Sequence, residues 1–255
     1  MRTTRRQSAG FTLTELLVTI VILGAMAAML VPALGRVLNV ADQTACASNL
    51  RQVGYALQQY LKDNDGWFFP LRTTEPGGTL WYFGFEAKGS VSAGEGNRQL
   101  DRTRGKLYPY LGESYATVEV CPAFNYYGAY KAKYSDKWWT YGINYELVSS
   151  ARGRNRDQIK ARDQGRLMLF ADAAQVNTWQ APATPRNPLV EEWFYVQAGA
   201  PMVHFRHDGL ANVLMADGHV EALPPAPNSF SPKMPNACIG SLDAADVVFR
   251  PRGGW

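Results

Sequence analysis

The chain has 255 residues, of which 46% are hydrophobic and 19% charged, a balance that excludes wholesale disorder and allows one moderate domain or two small ones. The net charge of +4 is local: without Arg2, Arg5 and Arg6, 23 basic residues face 22 acidic ones, so the body carries no basic field of the kind that phosphate-backbone binding needs, and no nucleic-acid partner is expected. Three cysteines, Cys46, Cys121 and Cys238, are too few for a disulfide-built scaffold.

The first ten residues, MRTTRRQSAG, are short, basic and polar. From Phe11 to Leu34 the chain is apolar, with Glu15 as its one charge. A stretch of that length spans a bilayer as a helix, and the preceding Arg cluster places the N-terminus in the cytoplasm. A secretory signal peptide with a cut near Ala25–Ala28 is one alternative, and an uncleaved signal anchor is another. Neither explains the switch at Gly10-Phe11, nor a carboxylate four residues into an apolar helix, which is costly without a partner.

Gly10-Phe11-Thr12-Leu13-Thr14-Glu15-Leu16-Leu17 resembles the signal of type IV pilins and type II secretion pseudopilins. The resemblance implies cleavage between Gly10 and Phe11 by a prepilin peptidase and N-methylation of Phe11. It implies a Glu15 that sets register against a neighbouring subunit, and a helix kink at Pro32. It also implies partners: other pseudopilins or pilins and an inner-membrane assembly platform. The location implied is the bacterial inner membrane, single-pass, with the remainder of the chain extracytoplasmic.

Beyond Pro32 the pattern becomes amphipathic, with Leu34, Leu38, Ala41, Ala45, Leu50, Val53, Leu57 and Leu61 at three- and four-residue steps. The spacing predicts one helix from about Thr12 to about Lys62, roughly 75 Å long at the α-helical rise. Asp63-Asn64-Asp65-Gly66 reads as its stop. The same three side chains make calcium a minor expectation, since hard cations take oxygen ligands.

From Gly66 the periodicity shortens. Strands are expected at Leu80–Phe85, Val118–Cys121, Leu167–Ala171, Met202–Phe205, Ala211–Ala216 and His219–Leu223, with Ala245–Phe249 a short addition. Residues 86–105, 173–200 and much of 224–255 read as loops or surface excursions, and 150–165 as a solvated basic face. The division expected is a leader (1–10), a membrane-spanning helix half (11–34), an amphipathic half (35–65) and an α+β, pilin-like head with an antiparallel sheet (66–255).

Within 204–223, Asp217-Gly218 between two strand-like runs predicts a tight hairpin in which both turn residues take positive φ. Asp208-Gly209 reads as an earlier turn. His207, Asp217 and Gly218 resemble the H-x9-DG element of a family of bacterial prepilin-type proteins. That family's head has no established chemistry to carry over. His204, His207 and His219 fit no metal-ligand spacing, and G-x-S-x-G, H-E-x-x-H and phosphate-loop patterns are absent, so neither a metal nor catalysis is expected. Cys46 on the helix and Cys121 at a strand end are a candidate disulfide. The reading is a pseudopilin or minor-pilin-like structural subunit. The alternative is a membrane-tethered ligand-binding module, with glycans as the candidate ligand class, using Trp81, Trp138, Trp139, Trp179 and Trp193.

Overall fold

The computed structural model describes residues 11–251. The chain divides into two compact units between Ala41 and Asp42. One long helix, α1 (Leu13–Asp63), contributes to both. In the first unit every described side chain from Phe11 to Ala41 is exposed, and the side chains of 30–33 lie outside the described residues.

In the second unit the amphipathic face of α1 becomes a core face. Cys46, Leu50, Val53, Leu57 and Leu61 are buried at helical spacing. The helix ends where Asp65 and Gly66 both take positive φ and the Gly66 N–H caps the Leu61 carbonyl at 2.7 Å.

Among the described residues twelve strands follow: β1 (Arg72–Glu75), β2 (Gly78–Trp81), β3 (Gly84–Ala87), β4 (Tyr141–Asn144), β5 (Met168–Asp172), β6 (Ala174–Asn177), β7 (Leu189–Glu192), β8 (Tyr195–Val196), β9 (Val203–His204), β10 (Ala211–Met215), β11 (Val220–Leu223) and β12 (Ile239–Gly240). The central sheet has the order β11-β10-β5-β4-β8 and is antiparallel apart from the parallel β4–β8 edge. Strands β1–β3 form a separate meander, while β6–β7 and β9–β12 pair off as two-stranded sheets. The architecture is α+β and pilin-like, with a mixed central sheet where a purely antiparallel one was expected.

Helix and sheet approach closely at Gly54 on α1 and Leu214 on β10. A Cβ at Gly54 would sit 3.1 Å from a Leu214 methyl. Phe69, Tyr82, Phe83, Trp138, Trp139, Tyr141 and Phe170 fill the core beside it.

Several strand expectations are corrected. Leu80–Phe85 is two strands, because Tyr82 and Phe83 occupy the β2–β3 turn and both insert into the core, so a turn reads as an apolar strand. Val118–Cys121 is not a strand: Tyr115–Val118 is a helical turn. Ala245–Phe249 supplies a single bridge, Leu167 to Val248. The 86–105 stretch contains the end of β3 and a helical turn, Lys88–Val91. The 173–200 stretch is not a surface excursion. It carries β6, β7 and β8, and its carboxylates Glu191 and Glu192 are buried.

Candidate functional site

Two places carry chemistry, one in each unit. The first is the start of α1. Thr12 and Glu15 close on each other: the Thr12 backbone N–H and hydroxyl donate to Glu15 Oε2 at 2.9 and 2.7 Å, and the Glu15 N–H donates to Thr12 Oγ1 at 3.3 Å. This is a capping box, and it supplies the partner that a carboxylate in an apolar helix requires. The threonine–x–x–glutamate spacing was visible in the sequence but was not read that way. Phe11 is exposed. Gly10 lies outside the described residues. Pro32 lies within the range of α1, but its side chain is likewise outside them, so its expected role as a kink stays an expectation.

The second place is a buried cluster in the head. Cys46 (on α1), Cys121, Asp172 (the last residue of β5) and His207 (just after β9) present ligand atoms that all lie within 4.8 Å of one another. Cys46 Sγ donates to Asp172 Oδ1 at 3.1 Å, Cys121 Sγ lies 3.5 Å from His207 Nε2, and His207 Nε2 lies 3.2 Å from Asp172 Oδ2. All four side chains are buried.

Backbone geometry explains the convergence. Asp208 (φ 51°) and Gly209 (φ 84°) form a two-residue turn closed by reciprocal His207–Leu210 backbone bonds of 3.1 and 3.0 Å, a type I′ arrangement. That turn fixes His207 at the mouth of β10. The Asn212 N–H donates to Asp172 Oδ2 at 2.8 Å and orients the carboxylate. Arg206 Nη2 stands 3.6 Å from Asp172 Oδ1 and is itself held by the carbonyls of Thr140 and Ala173, each at 3.0 Å.

The electrostatics follow from this packing. Burial pushes the Cys46 thiol well up. Burial acts the same way on Cys121, but its contacts with Cys46, Arg206 and His207 outweigh it and bring that thiol down to about 6. Burial disfavours a charged His207, yet Asp172 and Cys121 raise it to about 9. Asp172 stays below its ordinary value: Arg206, His207 and the Asn212 N–H overcome its burial. The cluster is not a nucleophile–base–carboxylate triad. Asp172 and Cys121 both address the same imidazole nitrogen, Nε2, whereas a relay uses opposite nitrogens.

The other predicted positions are separate from this cluster. Asp217 accepts from the backbone and Nδ1 of His219 at 3.1 and 2.6 Å on the exposed side of the β10–β11 hairpin. That hairpin is closed by a longer turn than expected. Gly218 takes φ 94°, Asp217 does not take positive φ, and the Gly218 N–H bonds the Met215 carbonyl. The two-residue turn with both φ values positive occurs at Asp208-Gly209 instead. At the helix stop, Asp63 accepts from the Tyr110 hydroxyl at 3.0 Å and Asn64 donates to the Tyr60 carbonyl at 2.8 Å. Trp138 and Trp139 are fully buried core residues, which removes them from a surface-binding role, whereas Trp179 is 61% exposed.

Residues 5–31 match the prokaryotic N-terminal methylation motif. The chain carries that motif. It begins in the basic N-terminal stretch and covers most of the apolar run, so the resemblance read from Gly10-Phe11 and Glu15 falls inside it, while the H-x9-DG stretch at 204–223 falls outside. Type II secretion system core protein G of Pseudomonas aeruginosa is 40% identical over 60 residues, which cover 24% of this chain and 42% of that protein. The match therefore spans less than half of the relative. No solved structure matches the chain.

Of the predicted site residues, Cys46, Cys121 and His207 come together, and the two cysteines are free thiols. Asp172 was missed. The one available signal for an inward Cys46 was its place on the apolar face shared with Leu50, Val53 and Leu57.

Proposed function

We propose that the chain is a pseudopilin or minor-pilin-like structural subunit rather than an enzyme. The observation that carries this reading is the methylation motif at residues 5–31, set on a helix long and apolar enough to cross a membrane. A prepilin peptidase cuts between Gly10 and Phe11 on the cytoplasmic face, and Phe11 is then N-methylated. The mature chain assembles with other pseudopilins through an inner-membrane platform of a type II secretion or type IV pilus-like system. The Arg2, Arg5 and Arg6 cluster holds the leader in the cytoplasm.

Processing has a physical consequence. It creates a cationic amine at Phe11, four residues from Glu15. In an assembly the Glu15 carboxylate of one subunit pairs with the amine of its neighbour and fixes axial register. The Thr12–Glu15 capping box holds that carboxylate beforehand.

Mass spectrometry of the mature N-terminus tests the reading. N-methyl-Phe11 is expected; an intact Met1, or a cut near Ala28, overturns it.

One observation favours a ligand-binding head as a second reading. A pocket of about 460 Å³ is lined by Trp81, Tyr145, Trp193 and Tyr195 with Arg72 at its side, and flat aromatic faces stack on sugar rings. Titration of the full chain with oligosaccharides, compared against Trp193→Ala, tests it: no binding, or equal binding by both, removes this reading.

A further inference from the structure

The geometry points to a structural site for a thiophilic divalent cation of the zinc class, held by Cys46, Cys121, Asp172 and His207. The inference concerns the head alone and is independent of how the N-terminus is processed.

Three features carry it. The first is the donor set. Two thiols, an imidazole and a carboxylate make a four-ligand set suited to zinc, whereas calcium and magnesium take oxygen. The second is distance. Zinc bonded at the usual lengths to sulfur, nitrogen and oxygen separates its ligands by about 3.3–3.8 Å along the edges of a tetrahedron. The observed separations are 3.5 Å from Cys121 to His207, within that range, and 3.1 and 3.2 Å from Cys46 and His207 to the two oxygens of Asp172, just under it, and one ligand atom from each of the four residues falls within 4.8 Å of the others. The third is direction. His207 turns one nitrogen, Nε2, toward both Cys121 and Asp172, so a single lone pair faces the two other ligand groups at once.

Charge fits as well. Two thiolates, one carboxylate and a dication leave one negative charge. The Arg206 guanidinium, 2% exposed and 3.6 Å from Asp172, balances it. The Asn212 N–H and Arg206 are the outer groups that orient a ligating carboxylate. Without a metal, four buried polar side chains converge where apolar ones would cost less.

The consequence is mechanical. The ligands come from α1, from the loop after the helical turn Tyr115–Val118, from the end of β5 and from the turn after β9. One ion thus ties the helix to the sheet. The site is buried, so the metal enters as the head folds, and both thiols bind as thiolates with release of their protons.

Untagged full-length chain, produced with zinc supplied and purified in detergent, tests this by elemental analysis and zinc-edge X-ray absorption. One zinc per chain is expected, with two sulfur and two nitrogen or oxygen neighbours. Cys121→Ser and His207→Ala should each lower the zinc content more than about 10-fold, while Cys238→Ser should leave it unchanged. The sulfur count comes from the wild-type chain, so a variant that fails to fold does not blunt the test. Three results overturn the proposal: a folded wild-type chain with no more zinc than Cys121→Ser, a zinc shell without sulfur, or a Cys46–Cys121 disulfide in the isolated chain. The last would establish the oxidised pair expected from sequence in place of the metal.

Discussion

Lys131 is fully buried, and its ammonium lies 2.5 Å from Glu95 Oε2 and 3.5 Å from Glu191 Oε1. Glu191 is buried too, and its other oxygen accepts from Gln175 at 2.9 Å and Asn177 at 2.7 Å. Replacing Lys131 with Met keeps the aliphatic bulk and removes the charge. Glu95 retains Arg98 at 2.9 Å, but Glu191 is left as a buried anion with two amide donors. Breaking a buried pair in this way costs about 3–5 kcal/mol, more than the pair is worth against an apolar replacement. Glu191→Gln keeps an oxygen for Gln175 and Asn177 and removes the anion, so the double variant should recover about 2–3 kcal/mol of the loss. Denaturant unfolding of the full chain in detergent, followed by tryptophan emission, reads this out because Trp138 and Trp139 are buried in the same head. A Lys131→Met cost below about 1 kcal/mol, or a coupling within about 0.5 kcal/mol of zero, refutes the reasoning.

Three further outcomes are expected. Gly142→Ala places a Cβ 2.7 Å from a Val196 methyl and 2.8 Å from the Tyr195 carbonyl carbon, so it should force β4 from β8 at about 1–3 kcal/mol and lower the melting temperature by about 2–4 °C for each kcal/mol; an unchanged melt would contradict the packing described. Burial holds the Glu192 carboxyl up at about 7, against an ordinary 4.5, although the Tyr130 hydroxyl donates to it. The folded state then keeps a proton that the unfolded chain loses, so stability falls as pH rises from 4.5 to 7, and Glu192→Gln should flatten that slope in unfolding measured across this window; a slope equal to wild type rejects the assignment. Glu15→Ala should leave processing at Phe11 largely intact and impair incorporation into assemblies, read by crosslinking in membranes; normal incorporation counts against a register role.

How much was legible follows from where the information lies. The helix was readable because a 3.6-residue period persists through Leu50, Val53, Leu57 and Leu61, and these are the residues buried. The β10–β11 hairpin was readable because Asp-Gly is a local turn signal. Its detail was not, since two Asp-Gly pairs compete and only the tertiary register decides which one closes in two residues. The β6–β7 hairpin was hidden because Glu191 and Glu192 read as surface residues, and their partners Lys131 and Tyr130 lie some 60 positions earlier in the chain (62 for Tyr130 and Glu192). The cluster was hidden for the same reason at greater range. Cys46 and Asp172 are 126 residues apart, and Cys121 and His207 are 86 apart, so no short spacing encodes them.

In the assembly proposed above, the Thr12–Glu15 capping box changes what polymerisation would gain. A subunit waiting in the bilayer does not carry a bare charge in need of rescue; its carboxylate is already solvated from within. Docking against a neighbour's amine would then be an exchange of partners, driven by the difference between two satisfied states rather than by the relief of a bare charge.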